Sequence, residues 1–175
     1  MKRTIHSVKL VLLLLTLASS GSAQVYLSKE KALSIYLGES VERKTLFLTD
    51  DQVTSIQSAA KAKVESKVLT YYTGSRGVGF FETRTIRTMP ATFIIVLNLD
   101  GTVQAVEILA FYEPEDYLPP KRWLKTFDTK SMSDDLWLKR GVYNVSGATI
   151  SAQVITECVR KYLATYSIAI KKERP

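Results

Sequence analysis

Hydrophobic positions change period twice along the chain, and the changes divide it into regions. Ala32, Leu33, Tyr36 and Leu37 give Ser28 to Leu37 an apolar side, and Gly38 closes a short predicted helix. A second helix is predicted from Thr49. Thr49-Asp50-Asp51-Gln52 has the form of a capping box with acids in the first turn, and Val53, Ile56, Ala60 and Val64 follow at helical spacing. The period then shortens. Strands are predicted at Lys67 to Thr73, Phe80 to Arg87, Thr92 to Leu99 and Val103 to Tyr112, with Asp100-Gly101 as a hairpin signal. Glu113 to Pro120 reads as a loop, leading from Pro120 into a helical turn through Trp123 and Phe127. Leu136 to Leu138 is a short apolar segment, a candidate strand. A final helix is predicted from Thr149 to Tyr166, with Val154, Ile155, Cys158, Tyr162 and Leu163 on one side. Three or four antiparallel strands with helices on one face make an α+β domain.

Ahead of these elements lies a different pattern. Lys2, Arg3 and Lys9 precede an apolar run from Leu10 to Ala18, and Gly21-Ser22-Ala23 supplies small residues at the end. This is the layout of a secretory signal peptide, too short for the ~20 apolar residues of a spanning helix. Residues 1–23 are read as the leader, 24–66 as an N-terminal helical segment and 67–170 as the main domain. The protein is expected in the periplasm or outside the cell. Cleavage after Ala23 removes three of the 24 basic side chains, leaving 21 against 17 acidic ones, a net charge of +4. The basic residues are scattered, which argues against a nucleic-acid stripe.

The sole histidine, His6, lies in the leader, and Cys158 is the single cysteine. The expected mature chain therefore has no His base or His metal ligand. It also has no internal disulfide, cysteine zinc site or iron–sulfur cluster. Cys158, in an apolar-periodic helix, reads as a small buried hydrophobe. Redox chemistry on this chain requires a bound cofactor. Glu113 and Asp116 read as turn-capping acids in the loop.

One segment stands out. Ser146-Gly147-Ala148-Thr149-Ile150-Ser151 sits where a loop enters the last helix. The first N–H groups of a helix lack internal partners and favour an anion, Gly147 permits close approach, and Ser146, Thr149 and Ser151 carry hydroxyls. The residues alone leave two readings open, an ordinary helix cap or an anion site.

Ser146-Gly147-Ala148-Thr149 with the following helix resembles the flavinylation motif of the FMN-binding domain family, which includes the flavin-carrying subunits of the sodium-pumping NADH:quinone reductase and the Rnf complex. The loop from Glu113 to Pro120 with Arg122-Trp123-Leu124 is similar to small soluble members. The resemblance covers about Tyr71 to Tyr166. It implies FMN esterified through its phosphate to Thr149 by a flavin transferase after export. It also implies an electron carrier working between redox partner proteins, such as a membrane reductase or a cytochrome, rather than an independent enzyme. The alternatives are a flavin oxidoreductase acting on a small molecule, and a non-redox module whose flavin site has lapsed. The family motif carries Asp six residues before the acceptor; here that position is Tyr143, next to Asn144. For the flavin ring, Tyr117, Leu118, Trp123, Tyr143 and Phe111 are candidate walls, and Lys139 and Arg140 are candidate cations near it.

Overall fold

The computed structural model describes residues 24–171; the expected leader lies outside them. Six strands form one antiparallel sheet: β1 (Gln24–Val25), β2 (Glu42–Phe47), β3 (Val68–Thr73), β4 (Val78–Thr85), β5 (Pro90–Leu97) and β6 (Val103–Phe111). Their spatial order is β1-β6-β5-β4-β3-β2, a meander with β1 added outside β6. The predicted α+β class holds, and the four strands read from alternation are β3 to β6.

Two strands escaped the pattern. β1 is only two residues long. β2 is an edge strand, and of Glu42-Arg43-Lys44-Thr45-Leu46-Phe47 only Leu46 is buried, so no apolar alternation marks it. The stretch 24–66, expected to be helical, thus supplies both edge strands of the sheet, β1 paired to β6 over two residues and β2 to β3 over six.

Helices cover both faces of the sheet, not one. α1 (Lys29–Leu37) starts at Ser28, whose Oγ accepts from Lys31 N–H, and ends at Gly38 with φ +97°. Its Ala32 and Leu37 pack on Ile94, Val96 and Leu109. β5 is apolar at successive positions because it is covered from both sides. On the opposite face lie α2 (Asp50–Ala60) and α4 (Thr149–Thr165). Here Ile56, Phe80, Phe93, Ile95, Phe127, Tyr162 and Tyr166 share the larger core, which draws on residues from Leu46 to Ile170. Phe80 and Tyr162 stack with ring centroids 4.5 Å apart. The chain segments 24–66 and 67–170 therefore share one sheet and both of its apolar clusters.

The capping box of α2 is complete: Gln52 N–H donates to Thr49 Oγ1 at 3.2 Å and Thr49 N–H to Gln52 Oε1 at 2.9 Å. The helix stops at Ala60, short of Val64, because Lys61 turns left-handed at φ 49°. After β6 the proline loop contains a 3-10 turn at Glu115–Tyr117, then α3 (Lys121–Leu124) and a second 3-10 turn at Lys125–Phe127. Leu136 to Leu138 forms no strand; a single bridge joins Leu138 to Val142 within a tight turn. α4 continues into a wider π-type turn at Tyr166–Ile170.

Candidate functional site

α4 begins without a side-chain cap. Its N-cap residue is Ala148, which has no polar group to offer, and the first helical bond runs from Ala152 N–H to Ala148 O at 2.9 Å. Thr149 is the first helical residue, so its hydroxyl is not a cap. It is exposed, accepts from Asn144 Nδ2 at 3.1 Å and reaches back to Val145 O at 3.4 Å. Of the two readings left open by the residues, the ordinary cap is therefore removed. Gly147, at φ +82°, makes the turn that sets Thr149 at the helix mouth, and a side chain there would crowd Asp116 O at 3.1 Å.

Thr149 lies on the wall of a cavity of about 360 Å³ together with Asn144, Trp137, Leu138, Lys139 and Lys61. Gln153, Thr156, Glu157 and Arg160 of α4 complete it. The volume is within the range of small-molecule sites. Three cations face one carboxylate, Glu157, giving the cavity a positive balance. Two of its residues, Lys61 and Lys139, are left-handed at φ 49° and 65°. Non-glycine residues in that conformation are uncommon and cluster at ligand sites.

Trp137 is 37% exposed, with the Arg160 guanidinium 3.9 Å from its ring centroid. Arg160 itself is buried. Its Nε donates to Ala60 O at 2.8 Å and a terminal nitrogen to Leu136 O at 2.9 Å, tying the end of α2 to the Trp137 turn. Burial lowers its pKa from the ordinary arginine value, partly offset by Glu157. Beside Thr149, Asn144 Oδ1 is buried and has no hydrogen-bond partner; among the described residues Gln104 Oε1 is the other such side-chain atom. A buried acceptor of this kind calls for a donor.

The residues expected at the site divide into two groups. Thr149, Ser146, Gly147 and Ala148 form the loop-to-helix turn, with Ser146 and Gly147 exposed and Ala148 buried. Ser151 is buried, and its hydroxyl donates to Tyr117 O at 2.6 Å, so it pins α4 to the proline loop rather than facing a ligand. Trp123 is fully buried, edge-on to Phe127, with Nε1 donating to Tyr143 O at 2.8 Å. It supports the motif from below and offers no ring face. Phe111 is likewise core. Tyr117 and Leu118 are half-buried against the core, the Tyr117 ring beneath Arg87 at 4.5 Å. Tyr143 is 52% exposed. None of Tyr117, Leu118, Trp123 and Tyr143 lines the cavity beside Thr149. Lys139 does, whereas Arg140 is held by Asp135 at 2.8 Å.

The lining residues that sequence reasoning missed carried a signal. Thr149, Gln153, Thr156 and Arg160 recur at spacings of four, three and four, a polar stripe along one face of an otherwise apolar helix. Lys61, Trp137 and Asn144 come from other elements and carried no such pattern.

These residues fit a phosphorylated flavin: a hydroxyl at an uncapped helix mouth, cations beside it, an indole face, and an orphan acceptor for a ribityl or ring donor. No curated protein and no solved structure matches the chain. Residues 89–164, from β5 nearly to the end of α4, match the family model of the FMN-binding domain. That match spans 76 of the 175 residues and indicates FMN as the cofactor.

Proposed function

We propose that this protein is an exported electron carrier whose FMN is joined through its phosphate to Thr149. The carrying observation is the exposed Thr149 hydroxyl, inside the family match and at the uncapped mouth of α4, opening on a cationic cavity. FMN supplies the electron chemistry when bound. On attachment Thr149 gives up its hydroxyl proton and its Oγ1 bonds to phosphorus, displacing the leaving group of the activated flavin nucleotide that a flavin transferase presents. The phosphodiester keeps one negative charge. The free N–H groups of α4 favour that charge by about 0.3–1 kcal/mol, and Lys61 and Lys139 add to it. Asn144 orients the acceptor, and Trp137 with Leu138 offers an apolar wall.

The leader-like N-terminus supports a periplasmic or secreted location, where a covalent tether prevents loss of the cofactor. Redox partner proteins such as a membrane reductase or cytochrome are its proposed donors and acceptors, since the expected mature chain has no histidine for catalysis of its own.

The test is co-expression with a flavin transferase, then denaturing electrophoresis and intact-mass measurement. The wild type is expected to show a fluorescent band and a mass gain of one FMN, and Thr149→Ala to show neither. Tyr143 at the motif's usual Asp position favours a second reading, a module whose flavin site has lapsed. An unmodified, colourless wild-type chain in that experiment selects it. Rapid turnover of a small-molecule donor would point instead to a flavin oxidoreductase.

A further inference from the structure

The sheet is incomplete at its centre-left. β3 pairs with β2 throughout, and β4 pairs with β5 throughout. Between β3 and β4 the ladder holds only at Thr73–Val78 and Tyr72–Gly79, beside the turn. Beyond Tyr72–Gly79 the two strands separate.

Hydrogen-bond alternation identifies the main-chain groups that face the opening. Leu48 N–H donates to Lys67 O at 2.8 Å. Leu69 and Tyr71 therefore bond toward β2, and Val68 and Thr70 face β4. At the other end Ile86 N–H donates to Met89 O at 3.0 Å. Glu82 and Arg84 therefore bond toward β5, and Phe81 and Thr83 face β3. Val68 N–H is taken by Ser66 Oγ at 3.0 Å. The N–H groups presented to the opening are those of Thr70, Phe81 and Thr83.

A cavity of about 370 Å³ occupies this opening, lined by Val68, Leu69 and Thr70 on one side and Phe81 to Arg84 on the other. Its floor, on the α4 side, is ionic. Lys161 Nζ lies 3.0 Å from Glu82 and 3.3 Å from Glu65, Arg84 lies 3.0 Å from Glu65, and Tyr162 OH donates to Glu82. Two acids and two bases balance, so the cavity selects neither an anion nor a cation. Main-chain pairing is what it offers, and an extended backbone is the chemistry that matches main-chain pairing.

We propose that this opening receives an extended segment of a partner polypeptide, added as a strand between β3 and β4. Phe81 to Arg84 span about 10 Å at roughly 3.3 Å per residue, so the inserted stretch is about four residues. Its side chains alternate. Those facing α4 meet Glu82, Lys161 and Tyr162 and suit hydroxyl-bearing residues; those on the other face meet Phe81 and suit β-branched apolar ones. The two cavities share no lining residue, so this site is distinct from the flavin cavity and does not depend on it.

The experiment is residue-resolved amide exchange by NMR, with the peptide Ac-Val-Thr-Val-Thr-Val-NH2 as probe. In the free protein the amides of Thr70, Phe81 and Thr83 are expected to exchange about a hundredfold faster than those of Tyr71 and Glu82. Millimolar peptide is expected to slow those three at least about tenfold. The same peptide N-methylated at alternate residues, which requires no change in the protein, is expected to have no effect. Thr83→Pro, which removes a donor on the opening side only, is expected to abolish the response. Equal protection of all five amides in the free protein, an equal response to the methylated peptide, or no response to either would overturn the proposal. Protection that rises with protein concentration alone would also overturn it, by assigning the opening to a second copy of this chain.

Discussion

Asn144 is the residue whose placement changes the picture of the motif. It stands one position after the usual Asp, yet its Nδ2 donates to the Thr149 hydroxyl, the proposed acceptor, at 3.1 Å. A hydrogen bond of this kind is worth about 1 kcal/mol, roughly a factor of five in rate if it is present in the reacting geometry. Asn144→Ala is expected to slow flavin attachment about fivefold while leaving the circular dichroism unchanged, read from the time course of in-gel fluorescence.

Glu113 shows a second single-residue effect. One of its carboxylate oxygens accepts N–H groups from Arg87, Thr88 and Met89 at 2.9, 2.6 and 2.8 Å. Burial pushes its pKa up, but the hydrogen bonds from Met89, Thr88 and Arg87 outweigh burial and hold it below the ordinary value of 4.5. Glu113→Ala leaves three donors at the β4–β5 turn unpaired and is expected to cost about 2–3 kcal/mol in urea titrations. A lowered acid stabilises the fold in its charged form. The gap between wild type and variant is therefore expected to be full above pH 4.5 and to shrink as pH falls below it. The sequence showed Glu113 as a loop acid with a capping role; that it caps a neighbouring turn 24 to 26 residues away was not visible in local spacing.

At the scale of elements, legibility followed periodicity. α1, α2, α4 and β3 to β6 each carry an apolar repeat or a cap at a defined offset, and each appears near its predicted bounds. β2 has one buried residue and was invisible. The motif turn was readable because Ser146-Gly147-Ala148-Thr149 is local. The cavity beside it was not, because its walls come from the end of α2, the Trp137 turn and α4. Trp123 and Ser151 were misplaced for a related reason: both are chemically suited to a ligand, and both are committed to holding the motif from beneath. The Trp137 turn offers its own test. A side chain at Gly141 would run into the Asp135 carbonyl and Cβ. Gly141→Ala is expected to destabilise the protein by about 1–3 kcal/mol, seen as a lower thermal midpoint, and to disturb Trp137 and Lys139 at the cavity wall.

For the molecule as a whole, the sheet and the larger core run across the boundary drawn from sequence at residue 66. Leu46, Leu48, Ile56, Ala60 and Ala62 pack in the same cluster as Phe80, Tyr162 and Tyr166. The family match begins only at residue 89, yet the structure around it cannot close without β2 and α2. Deleting residues 24–66 is expected to abolish cooperative unfolding in calorimetry. The full chain is expected to melt in one transition, monitored equally by Trp fluorescence and far-ultraviolet dichroism.

Cys158 sits within that shared core, wholly buried, its thiol pushed up to about 12 by burial and by Glu82. As the chain's single sulfhydryl it doubles as an internal gauge: an alkylating reagent marks only molecules that have opened globally. Labelling time courses in crude extract would then rank the stability of flavin-bearing and bare forms, or of any variant above, without purification and without a spectroscopic tag.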